Sequence, residues 1–157
     1  EPLPGRGVAL LGRALVLDPN LSAAWYLGGF QRISLGEHDQ AIQHFARAMR
    51  LSPLDPEMVR MQAGMAMAHL LAGRLDEALA WAEKASVTMP DFLLVVGVVA
   101  ASHAHAGRKD AAARALRHLR GLDPMLRIAN LQDWVLLHRP EDLATLADGL
   151  RCAGLPD

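Results

Sequence analysis

The 157 residues are 52% apolar but only 4% aromatic, carry a formal net charge of −1 with acids and bases interspersed, and include one cysteine. This composition favours close-packed helices over a β-rich core and shows neither a nucleic-acid footprint nor an acidic tail. An internal disulfide is excluded, and the longest apolar run, Phe92 to Ala101, is too short to span a bilayer.

Four prolines, Pro19, Pro53, Pro90 and Pro124, are spaced 34, 37 and 34 residues apart. A period in this range marks a solenoid of stacked helical units. Val8, Leu11, Ala14, Leu15 and Leu17 recur near helical spacing, so about residues 6–17 should form a helix. It reads as the second helix of a truncated unit that exposes Val8, Leu11 and Leu15, and the chain is expected to be a fragment of a longer protein. Next comes a helix over 22–35, with Ser22 as its cap and Gly36 ending it in the left-handed conformation. Residues 38–51 return antiparallel, burying Ala41, Ile42, Phe45, Ala48 and Met49, and Pro53 stops them.

In the second unit Asp55-Pro56-Glu57 reads as cap, first helical residue and first-turn acid. One helix then reaches about Ala72, and its partner spans about Leu75 to Thr88. The third unit pairs about 91–106 with 108–121. Its first helix is apolar all the way round, which demands burial on every side, so something must cover the face it would otherwise show to water. The tail is the candidate cover. Asn130-Leu131-Gln132-Asp133 can start a short helix, and Pro140-Glu141-Asp142 opens another that should bury Leu143, Leu146, Leu150 and Cys152 before Gly154. The expectation is one all-α domain over 1–157. Residues 1–19 are a truncated repeat, 20–53, 54–90 and 91–124 are three full ones, and 125–157 form a helical cap.

These columns resemble the tetratricopeptide repeat, a 34-residue helix–turn–helix unit. Its small crossing residues correspond to Gly29, Ala66 and Ala100 and to Ala41, Ala78 and Ala112, and its aromatic column to Trp25 and Phe45. Later units depart from the aromatics, with Gln62 or Val96 and Ala82 or Leu116 in those places, while the helix-ending proline persists. The resemblance implies an α-solenoid whose first helices line a concave, protein-binding surface. Carrying its lining columns across gives Tyr26, Phe30, Arg60, Ala63, Met67, Leu94, Val98 and His105 as the candidate partner-binding residues. The lysine, asparagine and arginine clamp of the variant that holds C-terminal carboxylates is absent. The tail Arg139-Pro140-Glu141-Asp142-Leu143 with Asp148 to Pro156 is also similar to chain ends in bacterial tetratricopeptide-bearing signalling proteins. Many of these are adenylate or guanylate cyclases; relatives carry a winged-helix DNA-binding domain.

No constellation for chemistry competes with this reading. The seven histidines include no metal-binding spacing: His103 and His105 lie about 200° apart around a helix. Cys152 has no histidine beside it, and the glycines form no phosphate loop. No catalytic residue, cofactor or metal is expected. The chain should be a cytoplasmic, non-catalytic interaction or regulatory module, the C-terminal part of a cyclase-like signalling protein. A winged-helix regulator's C-terminal region and a self-association (homodimer) module are the alternatives. Its partner would be a protein or peptide, or a neighbouring domain of the same chain, with no nucleic acid or membrane engaged by this segment. The groove is either open to an apolar partner anchored by Tyr26, Phe30 and Met67, or already filled by the tail or a neighbouring domain.

Overall fold

The computed structural model describes residues 4–157, with side chains from residue 6 onward. Among these residues the regular structure is entirely helical: α1 (Pro4–Leu17), α2 (Ser22–Ser34), α3 (His38–Leu51), α4 (Met58–Leu71), α5 (Leu75–Thr88), α6 (Leu93–His105), α7 (Lys109–Leu122), a 3-10 turn over Ile128–Asn130, α8 (Leu131–Trp134) and α9 (Pro140–Ala153). The pairs α2–α3, α4–α5 and α6–α7 pack as antiparallel units, and each unit stacks on the next through α3–α4 and α5–α6.

Two local devices repeat. At each inter-helix turn a glycine takes a positive φ, +79° at Gly36, +78° at Gly73 and +73° at Gly107, where a side chain would be strained. The following amide then donates back to a carbonyl five residues earlier, as in Glu37 to Arg32, Arg74 to His69 and Arg108 to His103, each at 2.9 Å. At each unit's end the residue before proline is forced out of the helical region. Ser52, Met89 and Asp123 have φ of −139°, −133° and −136°.

Small residues set the spacing. Ala41, Ala78 and Ala112 are buried where paired helices cross. The fully buried Phe45 ring lies against Gly29 and Gly64, so that a Cβ on either glycine would strike it. Phe45 therefore ties α2, α3 and α4 together, and Phe30 meets it edge-to-face at 4.9 Å. Trp25 fixes the entry to the first unit by donating its indole N–H to the Pro19 carbonyl at 2.9 Å.

Several local expectations need correction. Ser22 does not cap α2: it is the first helical residue, Leu21 is the cap, and its hydroxyl donates to the Ala48 carbonyl at 3.2 Å. Asp55 accepts the Glu57 amide at 2.9 Å within a turn, and α4 starts only at Met58. Cys152 is exposed, not buried. Along α1, which packs on α2, Val8, Leu11 and Leu15 are half-buried; the side chains left in water are Leu10, Val16 and Leu17, 63%, 82% and 87% exposed.

Candidate functional site

The first helices of the units, α2, α4 and α6, form one continuous face, since α4 touches both α2 and α6. Over the second and third units the chain's own tail lies on that face. Helix α9 packs along α6 and reaches α4 and α7. A Cβ on Gly149 would sit 2.8 Å from both the Ala101 Cβ and the His105 Nε2, so only a glycine permits this approach. Leu146 and Leu150 are fully buried, and the Trp134 ring covers Gly97. This cover lies on the Gly97, Ala101 and His105 side of α6, a helix whose Val95, Val96, Val98, Ala100 and Ala101 are all buried.

Polar contacts fix the register of α9. The His105 Nε2 lies 2.7 Å from the Thr145 carbonyl oxygen. At the start of the helix Arg139 donates to the Gly36 carbonyl at 3.4 Å, and the His38 Nε2 lies 3.0 Å from the Asp142 Oδ1. Asp142 is only 4% exposed, and its Oδ2 has no hydrogen-bond partner. The His38 ring is the polar group set against this buried carboxylate, and it joins the start of α9 to the first unit. Beyond the tail, Ile128 donates its amide to the Pro156 carbonyl at 2.9 Å, locking the chain's last residues to the connection that precedes α8.

The residues expected to line an open groove therefore separate. Ala63, Met67 and Val98 are buried, and Leu94 is half-buried. His105 is exposed overall, but its ring is engaged by α9. The first-unit members remain together and partly open. The Tyr26 hydroxyl donates to the Glu57 Oε2 at 3.2 Å, and the Arg60 Nε contacts the same oxygen at 3.1 Å. Tyr26 meets Phe30 edge-to-face at 5.4 Å, with half-exposed Leu27 on the same helix. Burial, reinforced by the Glu57 carboxylate, raises the Tyr26 phenol above its ordinary range, so it remains a neutral donor.

The remaining histidines hold local posts. His44 accepts from the Arg32 Nε at 3.1 Å and His69 from the Arg74 Nε at 3.0 Å. Burial is the main cause that lowers the pKa of His44, His69 and His103; neighbouring arginines add to it. His103, Arg114 and His118 line a shallow cleft of about 350 Å³ among α5, α6 and α7. Among the described residues no group of three or more His, Cys, Asp or Glu side chains is placed to hold a metal ion. Nor is any described helix long and apolar enough to cross a membrane.

The unit geometry and the repeated turns decide the family resemblance. Residues 20–86 match the tetratricopeptide-repeat family model. The described residues as a whole have the fold of an α-solenoid of such repeats. Similar solved structures include YrrB, described as a TPR protein with an unusual peptide-binding site, at 16% identity over 95% of this chain and 77% of that one, with a TM-score of 0.64. The MamA RS-1 ArsTM double mutant is 16% identical over 97% and 84%, with a TM-score of 0.70. MamA itself is 15% identical over 92% and 85%, with a TM-score of 0.67. At these identities the likeness is one of fold. No curated protein sequence matches the chain. Tetratricopeptide solenoids are generally non-catalytic protein-binding scaffolds, and sequence reasoning located the repeat columns of this one. It missed the His38–Asp142 contact and the Gly149 approach, which join parts of the chain that no local spacing relates.

Proposed function

We propose that this tetratricopeptide solenoid is a non-catalytic, cytoplasmic protein-binding module whose partner contacts the first-unit end of the groove face. One observation carries the reading. Tyr26, Leu27, Phe30 and Arg60 form a partly exposed aromatic and cationic surface directly beside the stretch that α9 covers. Aromatic and arginine side chains of this kind serve as binding anchors. Of the other residues proposed for this face, Ala63, Met67 and Val98 are buried, Leu94 is half-buried and the His105 ring is engaged by α9.

The tail residues from Arg139 to Pro156 support placing the module in a larger signalling protein of the adenylate or guanylate cyclase type, with a winged-helix regulator as the alternative parent. Assaying nucleotide cyclisation by the natural parent, with and without this segment, tests that placement. Product whose rate changes on deletion supports it, and no product from two folded proteins overturns it. Self-association is the second reading, favoured by Leu10, Val16 and Leu17 exposed along α1. For the binding surface itself, Phe30→Asp should abolish capture of the partner while leaving the helical circular-dichroism signal intact. Unchanged capture would overturn the assignment of this surface.

A further inference from the structure

Behind the groove face the third unit departs from the second at one position, and the departure leaves a cleft. Helices α5 and α7 both pack on α6. Between them Val96, Val99 and Ala115 floor a shallow opening of about 350 Å³ whose rim carries His103, Arg114 and His118. By the helical wheel, Val96, Val99 and His103 lie on the side of α6 opposite Gly97, Ala101 and His105, which meet α8 and α9. One repeat earlier, 34 residues back, Ala115, His118 and His103 correspond to Trp81, Lys84 and His69. There the space is taken up. The Trp81 indole packs against the core, the Lys84 ammonium lies 4.0 Å from its ring centre, and the His69 Nδ1 accepts from the Arg74 Nε at 3.0 Å. In the third unit an alanine stands in place of the indole. Arg108, the counterpart of Arg74, reaches Asp76, and the His103 Nδ1 has no hydrogen-bond partner.

Charge follows the same division. Among the described residues Arg74 and Arg108 each reach an aspartate, whereas Arg114, Arg117 and Arg120 on α7 are exposed and make no ion pair. They recur at every third residue, a stripe about 9 Å long, and Asp110 is the one acid of the helix. The rim already accepts a carboxylate: Asp91, on the connection into α6, sets its Oδ1 2.8 Å from the His118 Nε2.

We propose that this cleft and the exposed side of α7 form a second docking site, for an acidic segment of another protein. One bulky apolar side chain would sit over Val96, Val99 and Ala115, with flanking carboxylates on Arg114, Arg117 and Arg120. The site is separate from the first-unit surface and does not depend on it. Three features select this occupant. Guanidinium forks pair bidentately with carboxylates. A small molecule needs most of its surface enclosed, which so shallow a cleft does not do, whereas a peptide adds contacts along the helix. Between Arg114 and Arg120 there is neither an aromatic ring on which bases could stack nor an exposed large apolar side chain that could enter a bilayer.

The probe is a synthetic peptide in which one leucine is flanked on each side by two glutamates. It is titrated at low ionic strength into the isotope-labelled full chain, and amide chemical shifts are followed by NMR. Saturable shifts should centre on Val99, His103 and Arg114. Arg114→Glu, an exposed change that leaves the core untouched, should weaken binding at least about tenfold. Ala115→Trp restores the indole of the second unit without altering charge and should weaken it as much, as should replacing the peptide's leucine with alanine. Phe30→Asp should leave this binding unchanged, so the two surfaces stand or fall separately. No saturable shift, or an affinity unaltered in the Arg114→Glu chain, overturns the proposal. Equal binding of the alanine peptide, or of a single-stranded oligonucleotide of the same charge, would reduce the face to charge attraction and overturn it too. So would self-association that Arg114→Glu abolishes, because Asp76, Glu77 and Glu83 of a second copy would then be the occupant.

Discussion

The two ends of the groove face are built from the same repeat and end up in different states. On α2 the groove side keeps Tyr26 and Phe30 half-buried, linked to Glu57 and Arg60 on the next unit. On α6 the equivalent side is largely apolar and is covered by α9 and by Trp134 of α8, with Leu94 half-buried and His105 exposed. Each surface matches its surroundings: rings with a polar partner tolerate water, whereas an all-apolar helix does not. In a tetratricopeptide array the groove-facing composition of each first helix thus indicates whether that unit is open, and here the boundary between open and covered falls between α2 and α6.

The largest expected way to break this contrast is to remove the wedge that ties α2 and α3 to α4 at the open end. Phe45→Ala should cost about 3–5 kcal/mol in a denaturant titration, because the ring fills the space between Gly29 and Gly64. Leu146→Ala strikes the covered end alone and should cost about 2–5 kcal/mol, with loss of protection in α9 and α6 before α2 and α3. A uniform loss across all units would instead mean that the tail and repeats unfold as one. Smaller is His38→Ala, which leaves the buried Asp142 carboxyl without its neighbouring polar group, on the order of 1–3 kcal/mol.

Acidity sharpens the comparison in another way. His44, His69 and His103 all have folded pKa values below the ordinary histidine value. As pH falls through the usual histidine range the unfolded chain binds protons that the folded chain refuses, so stability should decline with acidification and be fully present above that range. Thermal melts across this window check the sign; a chain that gains stability on acidification would contradict it. The smallest effect belongs to the ladder in which an arginine of one turn reaches the aspartate of the previous one. Arg74 contacts Asp39 at 2.6 Å and Arg108 contacts Asp76 at 3.3 Å, with both aspartates exposed. Arg108→Ala should change stability by less than about 1 kcal/mol.

How much of this was legible in the sequence follows from range. Gly36, Gly73 and Gly107 and the residues before Pro53, Pro90 and Pro124 act on their own backbones, so the ends of the helices beside them were legible to within a few residues. The apolar circumference of α6 required a cover, and the tail was the segment at hand. What covers it, and how, depends on pairs such as Asp142 with His38 and Gly149 with Ala101. Asp142 looks like an ordinary first-turn acid, and Gly149 like a weak point in a helix. Neither carries a local mark of its distant neighbour, and for the same reason Met67 and Val98 read as groove lining and not as core.

The Arg139–Gly36 hydrogen bond spans 103 residues and joins the start of α9 to the first turn of the array. Its consequence lies in the order of synthesis. Each repeat closes on contacts within about one period and can form as it leaves the ribosome, whereas the cover for α4 and α6 does not exist until residues 140–153 have been made. For that interval the nascent chain presents a finished but uncovered apolar trough, a window in which a chaperone or a co-translational partner has access that α9 afterwards denies.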